Sequence, residues 1–183
     1  MVRKNKDPEL HKVVFDLKKS NYNLILNYCQ FEDLINIQND SFSTKIMEFD
    51  PETLIKSVLS ETEEILDFRP CLEAKNLPPK LFGDDRIKYI LSCLIQSQCE
   101  RTTKGNEKSP LIKILAYISD EQQINLNDSN YQSESTHRES NKFVVTITDF
   151  GGGLSQAQID QIFAASVVKR VIEAMGGKLE AHP

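Results

Sequence analysis

The chain has 183 residues, the span of one ordinary domain or of a compact domain carrying a helical arm. With 39% hydrophobic and 27% charged residues it can bury a core, which excludes whole-chain disorder. A formal charge of -5 and a pI near 5.3 argue against a general nucleic-acid binder, which needs clustered Lys and Arg to neutralise phosphates. Only Arg3-Lys4-Asn5-Lys6 is basic, and no apolar run follows it to make a signal peptide or membrane span, so no direct membrane contact is expected. Cys29, Cys71, Cys93 and Cys99 form no C-x-x-C pair and have no histidine at metal-ligand spacing, and read as free thiols of a reducing, cytoplasmic setting.

In chain order, Leu10, Val14, Leu17, Asn21, Leu24, Tyr28, Phe31, Ile35 and Gln38 alternate spacings of four and three, the heptad pattern of a helical seam. Seven of these nine are apolar, so residues 1–40 are expected to form a helical arm whose stripe needs a cover. The favoured cover is a helix of another chain, in a homodimer or with a partner protein. Packing on the arm's own domain is the alternative. Asn21 falls inside the seam.

Lys45 to Phe49 reads as a short strand, and Asp50-Pro51 then opens a helix with an acceptor cap and a proline in its first turn. Leu54, Ile55, Val58, Leu59, Ile65 and Leu66 supply its apolar face. Leu72 to Phe82 contains Pro78-Pro79 and is extended or looped, because proline lacks the donor a regular helix requires. Asp84 begins the next helix, with Ile87, Ile90, Leu91, Leu94 and Ile95 on one face and Lys104-Gly105-Asn106 at its end. Leu111 to Ile118 and Lys142 to Thr148 are strand-like, and the polar run Asp120 to Asn141 between them is expected to be a long exposed loop. Ser155-Gln156-Ala157-Gln158 has capping-box form ahead of Ile159, Ile162 and Phe163. A last helix carries Val167, Val168, Val171, Ile172 and Met175 and stops at Gly176-Gly177. Residues 45–183 therefore predict an α+β domain, a two-layer α/β sandwich with a mixed sheet covered by helices, preceded by the long N-terminal helix.

Asp149-Phe150-Gly151-Gly152-Gly153 leaves the end of a hydrophobic strand. Its Asp-x-Gly-x-Gly spacing resembles the adenine-binding box of the Bergerat ATPases, the superfamily of gyrase, the MutL proteins and the sensor histidine kinases. By itself it is also an ordinary glycine-rich turn. The flanks favour the kinases: Gly83-Asp84-Asp85-Arg86-Ile87-Lys88-Tyr89-Ile90-Leu91 resembles the start of their N-box helix. Val171-Ile172-Glu173-Ala174-Met175-Gly176-Gly177-Lys178-Leu179 resembles their closing helix and strand. Phe49-Asp50 and Leu77-Pro78 also match, so the resemblance spans Phe49 to Glu180. The arm resembles the second helix of the kinases' dimerisation and phosphotransfer hairpin. The resemblance implies that Asp149 reads the adenine amino group while Gly151 and Gly153 let the backbone approach the nucleotide.

The departures carry as much weight. Where the kinases have Asn-x-x-x-Asn and then Lys on the N-box helix, this chain has Cys93, Ser97 and Glu100, at offsets that place all three on one helical stripe. Ser97 stands at the family's Mg²⁺ position, and a Ser hydroxyl is a weaker ligand for a hard cation than an Asn carbonyl. Glu100 brings negative charge to the triphosphate's place, and Arg101 replaces the usual aromatic. After Ile162-Phe163, Ala164-Ala165-Ser166 joins directly to Val167, with no mobile lid and no second glycine box to offer phosphate-binding amides. His11 is followed by Lys12 rather than an acidic residue, and His137 and His182 lie in the polar run and at the terminus, so none reads as a phosphate acceptor. No catalytic residue and no tightly bound cofactor are expected, and the preferred reading is a pseudo-ATPase that docks or dimerises. The alternative is a working domain binding ATP with Mg²⁺, or ADP, through Asp149. A gyrase-like or MutL-like hydrolase would need a glutamate where Cys93 stands.

Overall fold

The computed structural model describes residues 8–66, 69–103, 111–120, 141–150 and 153–182. The basic start, Lys104-Gly105-Asn106, most of the polar run between the last two strands, and Gly151 lie outside the described residues.

The arm is one helix, α1 (Pro8–Gln38), about 45 Å long at 1.5 Å per residue. It ends in a Schellman closure: Ser41 N donates to Asn36 O at 2.9 Å, Asp40 N to Ile37 O at 3.4 Å, and Asp40 sits at φ 52°. Strand β1 (Ile46–Phe49) follows, then α2 (Pro51–Leu66). The Asp50 carboxylate caps α2 as expected, accepting from Glu52 N at 2.9 Å and Thr53 N at 3.1 Å. Strand β2 (Arg69–Lys75) leads through the proline turn to β3 (Leu81–Asp84), and α3 runs from Ile87 to Thr103. Asp84 therefore closes a strand rather than opening the helix, although its carboxylate accepts from Arg86 N at 3.0 Å and so starts the turn.

Strands β4 (Leu111–Asp120) and β5 (Asn141–Asp149) complete a mixed sheet of order β2-β4-β5, with β2 parallel and β5 antiparallel to β4. Strands β1 and β3 pair separately as an antiparallel ladder. Helices α4 (Gln156–Ala164) and α5 (Val167–Ala174) follow. Both halves of the Ser155–Gln158 capping box form, and α5 stops at Gly176, φ 79°, with Gly177 N bonding Ile172 O at 2.8 Å. The closing strand expected after it is not formed, since residues 178–182 carry no strand assignment.

Helices α2 and α3 cover one face of the sheet, giving the expected α+β sandwich. Ile55, Val58 and Leu59 of α2, Leu91, Ile95 and Cys99 of α3, and Ile112, Ile114 and Ala116 of β4 are buried together there. Ile87 packs against the same cluster, and other apolar residues of α3 turn the other way. Ile90 and Cys93 join Leu26 of α1 and Val168 and Val171 of α5 in a second cluster, with Leu94 partly buried beside them.

The arm thus lies on its own domain, but not through the seam read from its heptads. Leu10, Leu17, Leu24, Tyr28 and Phe31 are 61% to 67% exposed. The covered side is a second stripe, containing Phe15, Tyr22, Leu26, Asp33 and Ile37, of which Leu26 and Asp33 are fully buried.

Candidate functional site

Along β5, Phe143, Val145 and Ile147 pack against the core beneath the helices, and Asp149 is the next residue in the same alternation. It ends the strand beneath the last turn of α3. Arg101 on that turn donates from Nη2 to Asp149 Oδ2 at 2.9 Å, an ion pair whose side chains are 33% and 21% exposed. Within the expected glycine box Gly153 lies exposed in the stretch before α4.

The N-box stripe divides into three environments. Cys93 is buried in the cluster between α3, α1 and α5, where its sulfur accepts from Gln30 Nε2 at 3.3 Å. Burial pushes this thiol up to about 12, so it stays protonated at neutral pH. Ser97, one turn on, is exposed. Glu100 is exposed and accepts from Gln96 Nε2 at 2.8 Å, and the same nitrogen donates to Asn23 Oδ1 of α1 at 2.9 Å. The structure therefore brings Asp149 together with Arg101, and leaves Cys93, Ser97 and Glu100 facing different surroundings.

Between α4 and α5 the chain has two residues, Ala165 as the C-cap of one helix and Ser166 as the N-cap of the next. Ser166 Oγ accepts from Lys169 N at 3.2 Å, which satisfies one of the free amides at the start of α5. Val168, the second residue of α5, lies in the cluster with Cys93. No His/Cys/Asp/Glu group with metal-binding geometry occurs among the described residues. Among them, too, no helix is long and apolar enough to cross a membrane.

No protein-family model matches the sequence, and no curated protein matches it either. Solved structures do. The histidine kinase AdeS of Acinetobacter baumannii superposes with a TM-score of 0.61 at 17% identity, over 96% of this chain and 78% of that one. The nucleotide-free catalytic domain of histidine kinase ThkA gives 0.53 at 22% identity, over 76% of this chain and 88% of that one. This is the fold of a histidine kinase catalytic domain. A second ThkA structure, of the kinase in complex with the response regulator protein TrrA, gives 0.53 at 20% identity; this chain is matched over 96% of its length and spans 48% of that one. At such identities the shared property is the fold, and the histidine-kinase-like frame is what brings the end of β5 beneath α3.

The contact sequence reasoning missed is Arg101 with Asp149. Arg101 stands out in the sequence only as a replaced aromatic, and no periodic signal joins two residues 48 positions apart.

Proposed function

We propose that this chain is a histidine-kinase-related signalling domain whose phosphate-handling groups have been replaced, and that it works as a docking or dimerisation module rather than a kinase. The observation that carries the reading is the Arg101–Asp149 ion pair: the carboxylate expected to read a base amino group is already bonded to a cation of its own chain. A nucleobase would have to share this carboxylate with a paired guanidinium, and its uncharged amino donor binds a carboxylate less strongly than that cation does.

The place of the family's first N-box asparagine supports the same conclusion. A protonated thiol packed beside Leu26, Val168 and Val171 offers a hard cation nothing. Ser97 and Glu100 do not make up the loss, since one is a single exposed hydroxyl and the other a carboxylate that would repel phosphate. Mg-ATP therefore does not fit the residues present, and no phosphoryl-transfer step is assigned. The surface left for function is the outer side of α1, where a contiguous apolar stripe faces solvent and calls for a partner helix.

The competing reading, a domain that binds ATP, draws on Asp149 standing at the strand end where the family's adenine reader stands. Calorimetric titration with ADP and with Mg-ATP separates the two. No binding at millimolar nucleotide is expected, and tight Mg²⁺-dependent binding would overturn the proposal. The paired change Ser97→Asn and Glu100→Lys is expected to improve nucleotide affinity by roughly tenfold or less, because Arg101 still holds Asp149. For the docking part, Leu24→Glu with Phe31→Glu is expected to abolish association in light scattering while leaving the domain's melting unchanged. A parent chain that is monomeric at every concentration and captures no helical partner would remove that part.

A further inference from the structure

The side of α1 that lies on the domain is the less apolar of its two sides. Outward it shows Leu10, Val14, Leu17, Leu24, Tyr28 and Phe31; inward it offers Phe15, Tyr22, Leu26 and Ile37 interspersed with Asn23, Gln30 and Asp33. Area alone favours rolling the helix over and burying the other stripe. Something directional must hold it as it is.

The directional contacts converge on Arg86, at the start of α3. Its Nε donates to Asp33 Oδ1 of α1 at 2.8 Å, and its Nη1 donates to Asp84 Oδ1 and Oδ2 of β3 at 3.0 and 3.1 Å and to the Ser43 carbonyl at 3.0 Å. The Tyr89 hydroxyl donates to Asp33 Oδ2. Lys45 N donates to Asp84 Oδ2 at 3.0 Å, and the guanidinium carbon lies 4.5 Å from the Phe42 ring centroid. One planar fork thus joins the arm, the connecting segment and the domain, with the carboxyl side chains of Asp33 and Asp84 only 6% and 2% exposed.

We propose that Arg86, held between Asp33 and Asp84, is a latch that selects which side of α1 lies on the domain and so keeps the more apolar side outward. A buried ion pair adds little net stability over an apolar replacement, but removing one partner strands a charge, so it discriminates strongly between arrangements. Rolling α1 would take the Asp33 carboxylate from Arg86 Nε and from the Tyr89 hydroxyl at once, leaving two part-buried donors without their acceptor. The latch stands on the arm–domain contacts alone and does not depend on what covers the outer side.

Hydrogen exchange of the full chain tests it, in a Leu24→Glu/Phe31→Glu background so that association through the outer side contributes nothing. With the latch closed, amides of α1 from Tyr22 to Leu34 and of α3 from Ile90 to Cys99 are protected as one cooperative unit. Tyr89→Phe, which removes one donor and keeps the shape, is expected to speed exchange in α1 roughly tenfold and leave α3 unchanged. Asp33→Leu with Tyr89→Phe, which leaves Arg86 paired with Asp84, is expected to speed α1 on the order of 100-fold while α3 stays protected, and to raise the alkylation rate of half-buried Cys29 relative to exposed Cys71. Arg86→Lys keeps the charge without the fork and is expected not to restore protection. Protection of α1 that survives the double change, or full protection in Arg86→Lys, would overturn the latch. So would a parent α1 exchanging far faster than α3.

Discussion

Between α3 and the sheet the buried side chains are aliphatic apart from Cys99, whereas between α3 and α1 they include an amide, a phenol and an ion pair beside Cys93. Thr62, buried on α2, is satisfied locally, its hydroxyl donating to Val58 O at 2.8 Å within its own helix. The arm side is joined instead by contacts between residues 53 to 73 positions apart. The first layer is an area-driven core that tolerates small shifts. The second is a directional interface that specifies one arrangement.

The sharpest way to break this contrast is to place a charge on each side of α3. Ile95→Asp, fully buried against the sheet, is expected to cost at least ~4 kcal/mol and to unfold the domain. Leu94→Asp, partly buried toward α1 and α5, is expected to cost about 2 kcal/mol and to loosen the arm first. Equal losses in thermal melts would mean that the two sides are one core.

Acid should act most strongly on the arm side, where the carboxylate concerned is buried. Burial pushes the Asp84 carboxyl upward, but the amides of Arg86 and Lys45 and the Arg86 guanidinium outweigh it and hold it below the usual carboxylate range. A depressed folded value means that the stabilisation is fully present at neutral pH and is lost as pH falls below ~4 through that value. Protection of α1 in hydrogen exchange should therefore fall at pH 3 before that of α2. Asp84→Asn should be weaker at neutral pH and show less of this acid dependence. An acid response shared equally by α1 and α2 would assign it to the chain's overall charge.

The smallest effect concerns how the two outer helices end. The closures after α1 and α5 share one hydrogen-bond pattern, yet the left-handed position holds Asp40 in the first and Gly176 in the second. Asp40→Gly is expected to stabilise by up to ~1 kcal/mol, and Gly176→Ala to destabilise by about 1 kcal/mol. Denaturant midpoints of the two variants check both signs.

Much of the fold is legible because its signals are local. The Asp50 cap, the Ser155–Gln158 box, the proline turn before β3 and the alternation of β5 each declare themselves within a few residues. Even the position of Asp149 follows, since an alternation of inward Phe143, Val145 and Ile147 fixes where the next side chain points. Its partner does not follow, because Arg101 meets it only once a helix has been laid over the sheet.

The sequence by itself determined that residues 8–38 form a helix with an apolar seam and that an α+β domain follows. Tertiary structure decided which side of α1 is spent on the domain. A helix with two usable faces can dock by either, and periodicity reports the more apolar one. The choice rests on a few polar contacts with Arg86, Tyr89, Cys93 and Gln96, whose partners are distant in sequence and whose strength depends on the burial that only the folded chain supplies.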